Sequence, residues 1–315
     1  MKRGFLLTLT VLAFFALLLG FGLAAKSAGS ESEKRAADAR DARKIRFVFE
    51  DVREDFAANI GLTIVQENNT LTFYDHLPAN LNVPNALKAY DAFIQGYYRT
   101  PELNITFLDE ADNPIDFATM SDDIIIQPWG IEYDYLDDWG KRVLRIEWAN
   151  TSAYGALGAL NLSFDFPNAS FEYSPTPGNA SHFKWSPDFT VPSCGSLPNC
   201  MNFSLRIEDN MSQVYSCPGE ICNATGFRTN KKSTLDVKMV PCWMEVTLGD
   251  TGGGDDIALI RLHEPGNPGV PCSRDTDVVI RFNFNTTDFY VVFPSKLMVR
   301  DINYGFEKRD RLRGG

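Results

Sequence analysis

MKRGFLLTLTVLAFFALLLGFGLAA, residues 1–25, is the stretch from which the rest of the chain is read. After Lys2 and Arg3, no charged residue occurs from Phe5 to Ala25. As a helix rising 1.5 Å per residue, this run would be about 31 Å long, the thickness of a bilayer core. Three readings fit it. A cleaved secretory signal would need a shorter apolar region and a site such as Gly22-Leu23-Ala24. A signal anchor would keep Lys2 and Arg3 in the cytoplasm and place the bulk of the chain outside. A third reading turns on Lys2-Arg3-Gly4-Phe5, where a basic pair and a glycine stand directly before the apolar run.

Residues 26–62 continue outward from the apolar run. KSAGSESEKRAADARDAR, residues 26–43, is charged and rich in alanine, which favours helix from Glu31 onward. Gly29, with Ser27, Ser30 and Ser32, is expected to loosen the helix there. Ile45, Val48, Phe49, Val52, Phe56 and Ile60 then recur at three- and four-residue spacing, the stripe of an amphipathic helix. Gly61 is the expected stop.

The composition excludes one class of partner. With 30 basic and 41 acidic residues, the net charge is −11, and a nucleic-acid role has no electrostatic footprint. The motif N-x-S/T stands at Asn68, Asn104, Asn150, Asn161, Asn168, Asn179, Asn202, Asn210, Asn223 and Asn285. Random order at this composition would give roughly two or three such sites, so the excess points to a glycosylated extracellular surface. Six cysteines, Cys194, Cys200, Cys217, Cys222, Cys242 and Cys272, are clustered late in the chain without C-x-x-C spacing. An even set beside sequons reads as disulfides in an oxidising compartment. Of the fifteen pairings, neighbour pairing is expected: Cys194–Cys200, Cys217–Cys222 and Cys242–Cys272.

From Leu62 the hydrophobic period changes to two, with short runs at 70–74, 103–108, 123–127, 142–148 and 158–166. Further runs follow at 203–208, 234–240, 242–248, 257–262, 277–284, 288–294 and 297–304. Residues 83–98 carry the only helical pattern among them, with Pro84 in its first turn. The expected fold is a long N-terminal α-helix, transmembrane then amphipathic. A mainly β, antiparallel, sandwich-like head with one covering helix follows. Its expected divisions are 1–25, 26–62, a first β part 63–175, a disulfide-stapled part 176–307 (same domain or second lobe) and a flexible tail 308–315. The proline-rich stretch 167–200 marks the internal boundary.

No catalytic constellation is legible. His76, His182 and His263 are far apart in unlike contexts, and G-x-S-x-G is absent. Asp122, Asp123, Asp137 and Asp138 lie near Trp129, Tyr133, Tyr135 and Trp139, which a glycosidase or sugar-binding face would need. Turn aspartates and core aromatics give the same pattern. Asp250, Asp255 and Asp256 surround three glycines and form a weak Ca²⁺ candidate, read first as an acidic hairpin tip. No cofactor, no other metal and no enzymatic activity are expected.

The basic pair, Gly4 and Phe5 before an apolar helix resemble the prepilin signal of type IV pilins, above all archaeal pilin-like surface proteins. The resemblance covers residues 1–62 in motif and layout. It implies cleavage between Gly4 and Phe5 by a prepilin-type peptidase, and a retained helix leading into a β-rich head. It also implies membrane lipid and sister subunits as partners. Many members carry Glu at the fifth mature position, where this chain has Leu9, which implies a minor or non-assembling surface protein. The expected function is therefore a membrane-anchored, extracellular, pilin-like structural or adhesive glycoprotein. It is single-pass, with the N-terminus in the cytoplasm, the head outside and surface glycans as a further partner. The alternatives are a solitary type II anchored binding module, lectin-like or adhesin-like, and an anchored polysaccharide hydrolase.

Overall fold

The computed structural model describes residues 2–77, 83–98, 100–117, 124–138, 141–148, 156–186, 190–191, 194, 200–222, 225–249, 256–263 and 276–312. Within those ranges some side chains, notably those of residues 2–16, are not described. The first helix, α1 (Lys2–Ile60), runs for 59 residues, about 88 Å at helical rise. It passes through Gly29 without a break, which corrects the expected loosening. A lone glycine costs about 1 kcal/mol relative to alanine. The leucine- and alanine-rich residues before it and the alanine- and arginine-rich residues after it absorb that cost. The helix stops at Gly61, whose φ of +71° is the left-handed conformation that glycine adopts without a steric penalty.

Three sheets follow. Sheet I contains β1 (Leu62–Glu67), β2 (Thr70–Leu77), β7 (Leu157–Asp165), β9 (Thr190–Val191), β10 (Cys200–Glu208), β11 (Val214–Cys217), β12 (Gly226–Arg228) and β16 (Thr276–Phe284). Its order is β1-β2-β16-β7-β10-β12-β9, with β11 also on β10. Sheet II contains β4 (Ile124–Gln127), β5 (Ile131–Asp138), β6 (Lys141–Trp148), β8 (Ser170–Phe171), β13 (Ser233–Val240), β14 (Trp243–Leu248), β15 (Asp256–His263) and β17 (Tyr290–Val291). Its order is β17-β4-β5-β6-β15-β14-β13-β8. Sheet III is β19-β18-β3, from β3 (Leu103–Leu108), β18 (Lys296–Asp301) and β19 (Glu307–Arg311). The second helix, α2 (Val83–Tyr97), is the expected covering helix.

The chain is mainly β, and among the described strands the pairing is antiparallel except at one place. β7 and β10 run parallel, Asn161 opposite Ser204. The long segment 166–199 between them allows the crossover that a parallel pair needs, where a hairpin would have forced antiparallel pairing. β16 shows the period-two logic: Val278, Ile280, Phe282 and Phe284 are buried while Asp277 and Arg281 face solvent.

Sheets I and II face each other across an aromatic core. Phe73 of β2 meets Tyr133 of β5 with ring centres 4.8 Å apart. Trp129 stacks on Phe284 at 4.6 Å. Asp75, buried in β2, accepts a 2.5 Å hydrogen bond from the Tyr133 hydroxyl, so a polar link also joins the two sheets.

The division at residue 175 does not separate two bodies. β16, from the late part, lies between β2 and β7 from the early part, and β15 pairs with β6. The expected strand 288–294 shrinks to Tyr290–Val291. β5 was not anticipated as a strand. The tail expected to be flexible is in part β19, paired with β18, and Leu312 beyond it is buried. Residues 313–315 lie outside the described ones.

Candidate functional site

The most distinctive construction is the seat of α1. Ile45, Val48, Phe49, Val52, Phe56 and Ile60 are all buried, so the stripe read from the sequence is the face that docks on the head. It packs against α2 and sheet III: Phe56 lies 5.9 Å from Tyr90 and 5.6 Å from Phe107 between ring centres. The Tyr90 hydroxyl donates to the Val52 carbonyl at 2.8 Å. Burial, with Asp55 nearby, holds the Tyr90 hydroxyl well above its ordinary range and keeps it a donor. The Tyr98 hydroxyl donates to Asp51, and that bond pushes Tyr98 up to about 12.

The C-terminal strand closes the seat from the other side. Lys308 in β19 donates to Glu50 at 2.6 Å and stands 4.2 Å from the centre of the Phe49 ring. Arg53 reaches Glu50 at 2.5 Å. The Lys308 hydrogen bond holds the Glu50 carboxyl below its ordinary value against the opposing effect of burial. Sequence reading missed this clamp because Lys308 is 258 residues from Glu50 in the chain. The available signal was a run of mixed charge, Glu307-Lys308-Arg309-Asp310-Arg311, which also suits an edge strand.

Beyond the seat, α1 stands clear of the head. Leu17, Leu18, Leu19, Phe21 and Leu23 are exposed, Phe21 by 71 %. Among the described residues no helix is long and apolar enough to cross a membrane. The span expected over Phe5–Ala25 falls largely on residues whose side chains lie outside the described ones, as do those of the expected processing pair Gly4 and Phe5. A second exposed apolar group sits where α1 meets α2. Phe93 and Tyr97 lie 4.6 Å apart between ring centres, and Phe47 is exposed one turn before Asp51.

Eight of the ten sequon asparagines have described side chains, and none is buried. Asn68, Asn168, Asn202, Asn210 and Asn285 are exposed; Asn104, Asn161 and Asn179 are half-buried. Asn150 and Asn223 lie outside the described residues. The disulfides Cys194–Cys200 and Cys217–Cys222 form as neighbour pairing requires. Cys242 is disulfide-bonded, while its expected partner Cys272 lies outside the described residues.

Of the aromatics near the acidic pairs, which suit a sugar-binding face or a core, Trp129 and Tyr133 belong to the core. Tyr133 is buried against Phe73, and Trp129 stacks on Phe284. Asp137 and Asp138 are in β5, in register with Arg142 and Lys141, and Asp122, Asp123 and Trp139 lie outside the described residues. Tyr135 is in β5 opposite Leu144. Of the Ca²⁺ candidates, Asp250 and Asp255 lie outside the described residues, and Asp256 opens β15. Among the described residues, no group of three His, Cys, Asp or Glu side chains could hold a metal ion. His182 stacks on Tyr173 at 3.9 Å and His263 on Trp243 at 4.2 Å. His76 is in β2 opposite Asp277.

No family model, curated protein or solved structure matches this chain.

Proposed function

We propose that the protein is a membrane-anchored extracellular glycoprotein, a structural and adhesive surface component of the pilin-like kind. One observation carries this reading. A single unbroken helix is fixed to the head through Ile45–Ile60 and carries an exposed apolar segment, Leu17–Leu23, well away from it. Such a segment in water is unfavourable by about 25 cal/mol for each Å² of apolar surface, and lipid or sister helices would remove that penalty. Lys2-Arg3-Gly4-Phe5 supports prepilin-type processing, and Lys2 and Arg3 support a cytoplasmic N-terminus. The exposed sequons and the disulfides support an oxidising exterior for the head. The helix anchors, the head makes contacts, and no chemical step is required of either.

Leu9 favours the second reading, a solitary type II anchored binding module that does not assemble. The anchoring proposal is tested by mass spectrometry of the terminal peptide of the protein from its native membrane. A chain beginning at Phe5 supports prepilin-type processing. A chain beginning at Met1 leaves the solitary anchor, and one beginning near Lys26 overturns anchoring through residues 5–25.

A further inference from the structure

The described sequons lie mostly on or beside sheet I, with Asn104 in β3 of sheet III and Asn179 in a 3-10 helix, Pro177–His182, next to β13 of sheet II. Asn161 and Asn202 lie on the outer face of sheet I, and the Asn161 side chain accepts a 2.6 Å hydrogen bond from Ser204 beside it. Asn68, Asn168, Asn210 and Asn285 stand in turns that leave strands of that sheet. Among the described residues, no sequon asparagine falls in a strand of sheet II.

The outer face of sheet II carries an aromatic platform. Lys238, Trp243 and His263 are cross-strand neighbours on β13, β14 and β15. The row beside them is Asp236, Glu245 and Arg261. Trp243 is 39 % exposed and stacks on His263. Asp236 and Lys238 are exposed, and Arg261 is tied to Glu245. The carboxyl of Asp236 is raised by burial and by Glu245, and lowered by His263 and Lys238, so these side chains share one neighbourhood. The opposite end of this face is covered, since Thr247 is fully buried.

We infer that the Trp243–His263 stack binds a sugar ring, and that its occupant is the glycan coat of a second copy of this chain. The indole takes the apolar face of the ring. Lys238 and Arg261 donate to hydroxyls, and Asp236 and Glu245 accept from them. Two features of the molecule favour a second copy's glycans over its bare protein. Copies of a chain of net charge −11 repel each other, whereas uncharged sugars would bridge them without that penalty. The chain also supplies both halves of the contact, exposed sequons and the platform. The inference rests on the reading that the sequons are glycosylated, and it gives the adhesive role a partner and a site.

The test uses the full-length glycoprotein in detergent. One sample is immobilised and a second is passed over it, with glycopeptides prepared from the same protein as competitor. Association is expected, with loss in the presence of the glycopeptides. Trp243→Ala should weaken it about tenfold or more, and Trp243→Phe should restore part of the loss. Absence of association, or association indifferent to glycopeptides, overturns the inference, as does association indifferent to Trp243→Ala in a variant of unchanged Tm. If Trp243→Ala does not fold, the glycopeptide competition on the unaltered protein decides. Intact mass shows separately whether glycans are present. A chain without them overturns the inference and leaves the anchoring proposal to its own terminal-peptide test.

Discussion

Asp75 and Tyr133 show how one polar pair is tolerated in an aromatic core. A buried carboxylate is unfavourable unless it is hydrogen-bonded, and the Tyr133 hydroxyl supplies a donor from the facing sheet. Tyr133→Phe keeps the ring and removes that donor, so it should lower stability by about 1.5–3 kcal/mol in urea titrations. Asp165 illustrates the opposite situation on the surface. It stands between Asp277 of β16 and Glu208 of β10, in register with both. Burial first, then Glu208 and Asp277, raise its carboxyl above the ordinary value. A raised folded value gives stability that is present when the group is protonated and lost as pH rises through that value. Asp165→Asn should therefore raise Tm at neutral pH and change little below about pH 4.

At the scale of elements, the seat of α1 is where sequence pattern and long-range structure meet. Phe49 is fully buried and capped by Lys308, so Phe49→Ala should cost about 3–5 kcal/mol and release the helix from sheet III. Hydrogen exchange along 45–60 would report that release. The Glu50–Lys308 link has its own pH signature. Because the folded carboxyl is lowered, its contribution is present above the unfolded value, near 4.5, and is lost as pH falls through the folded one. Lys308→Gln should therefore lower the neutral plateau and change stability least at the acid end, where Glu50 is protonated, so that the profile flattens. Tyr98 acts at the other extreme. Its raised value gives stability that is full below pH 10 and lost as pH rises toward about 12, an effect Tyr98→Phe should abolish.

For the whole molecule, interleaving of early and late strands has a mechanical consequence. β16 cannot leave sheet I without exposing both β2 and β7. The head should therefore unfold in one cooperative transition, seen as coincident curves by far-UV circular dichroism and tryptophan fluorescence. Two separated transitions would show that residues 63–175 and 176–307 are independent after all.

Most of the local structure could be read from the sequence, because it depends on neighbours within a few residues. The apolar stripe from Ile45 to Ile60 fixed which face of α1 is buried. The stop at Gly61, the helix over 83–97 and the strands at 103–108, 142–148, 234–240 and 277–284 follow from spacing and turn residues within reach of each other. The two described disulfides joined the nearest cysteines. Pairing partners were not legible, since hydrogen bonds across strands carry no mark of sequence distance. That is why the sequence around β5 suits a sugar-binding face and a core equally, and only the sheet pairing turns Tyr133 inward. It is also why β19 was taken for a loose end when it clamps α1. Local composition determined the kind of protein this is: helix first, a β head after it, and a surface rich in sequons. Only the tertiary structure decided that the head is one interleaved sandwich, and that Lys308 holds Glu50. Those contacts arise when apolar surfaces far apart in the chain are buried together.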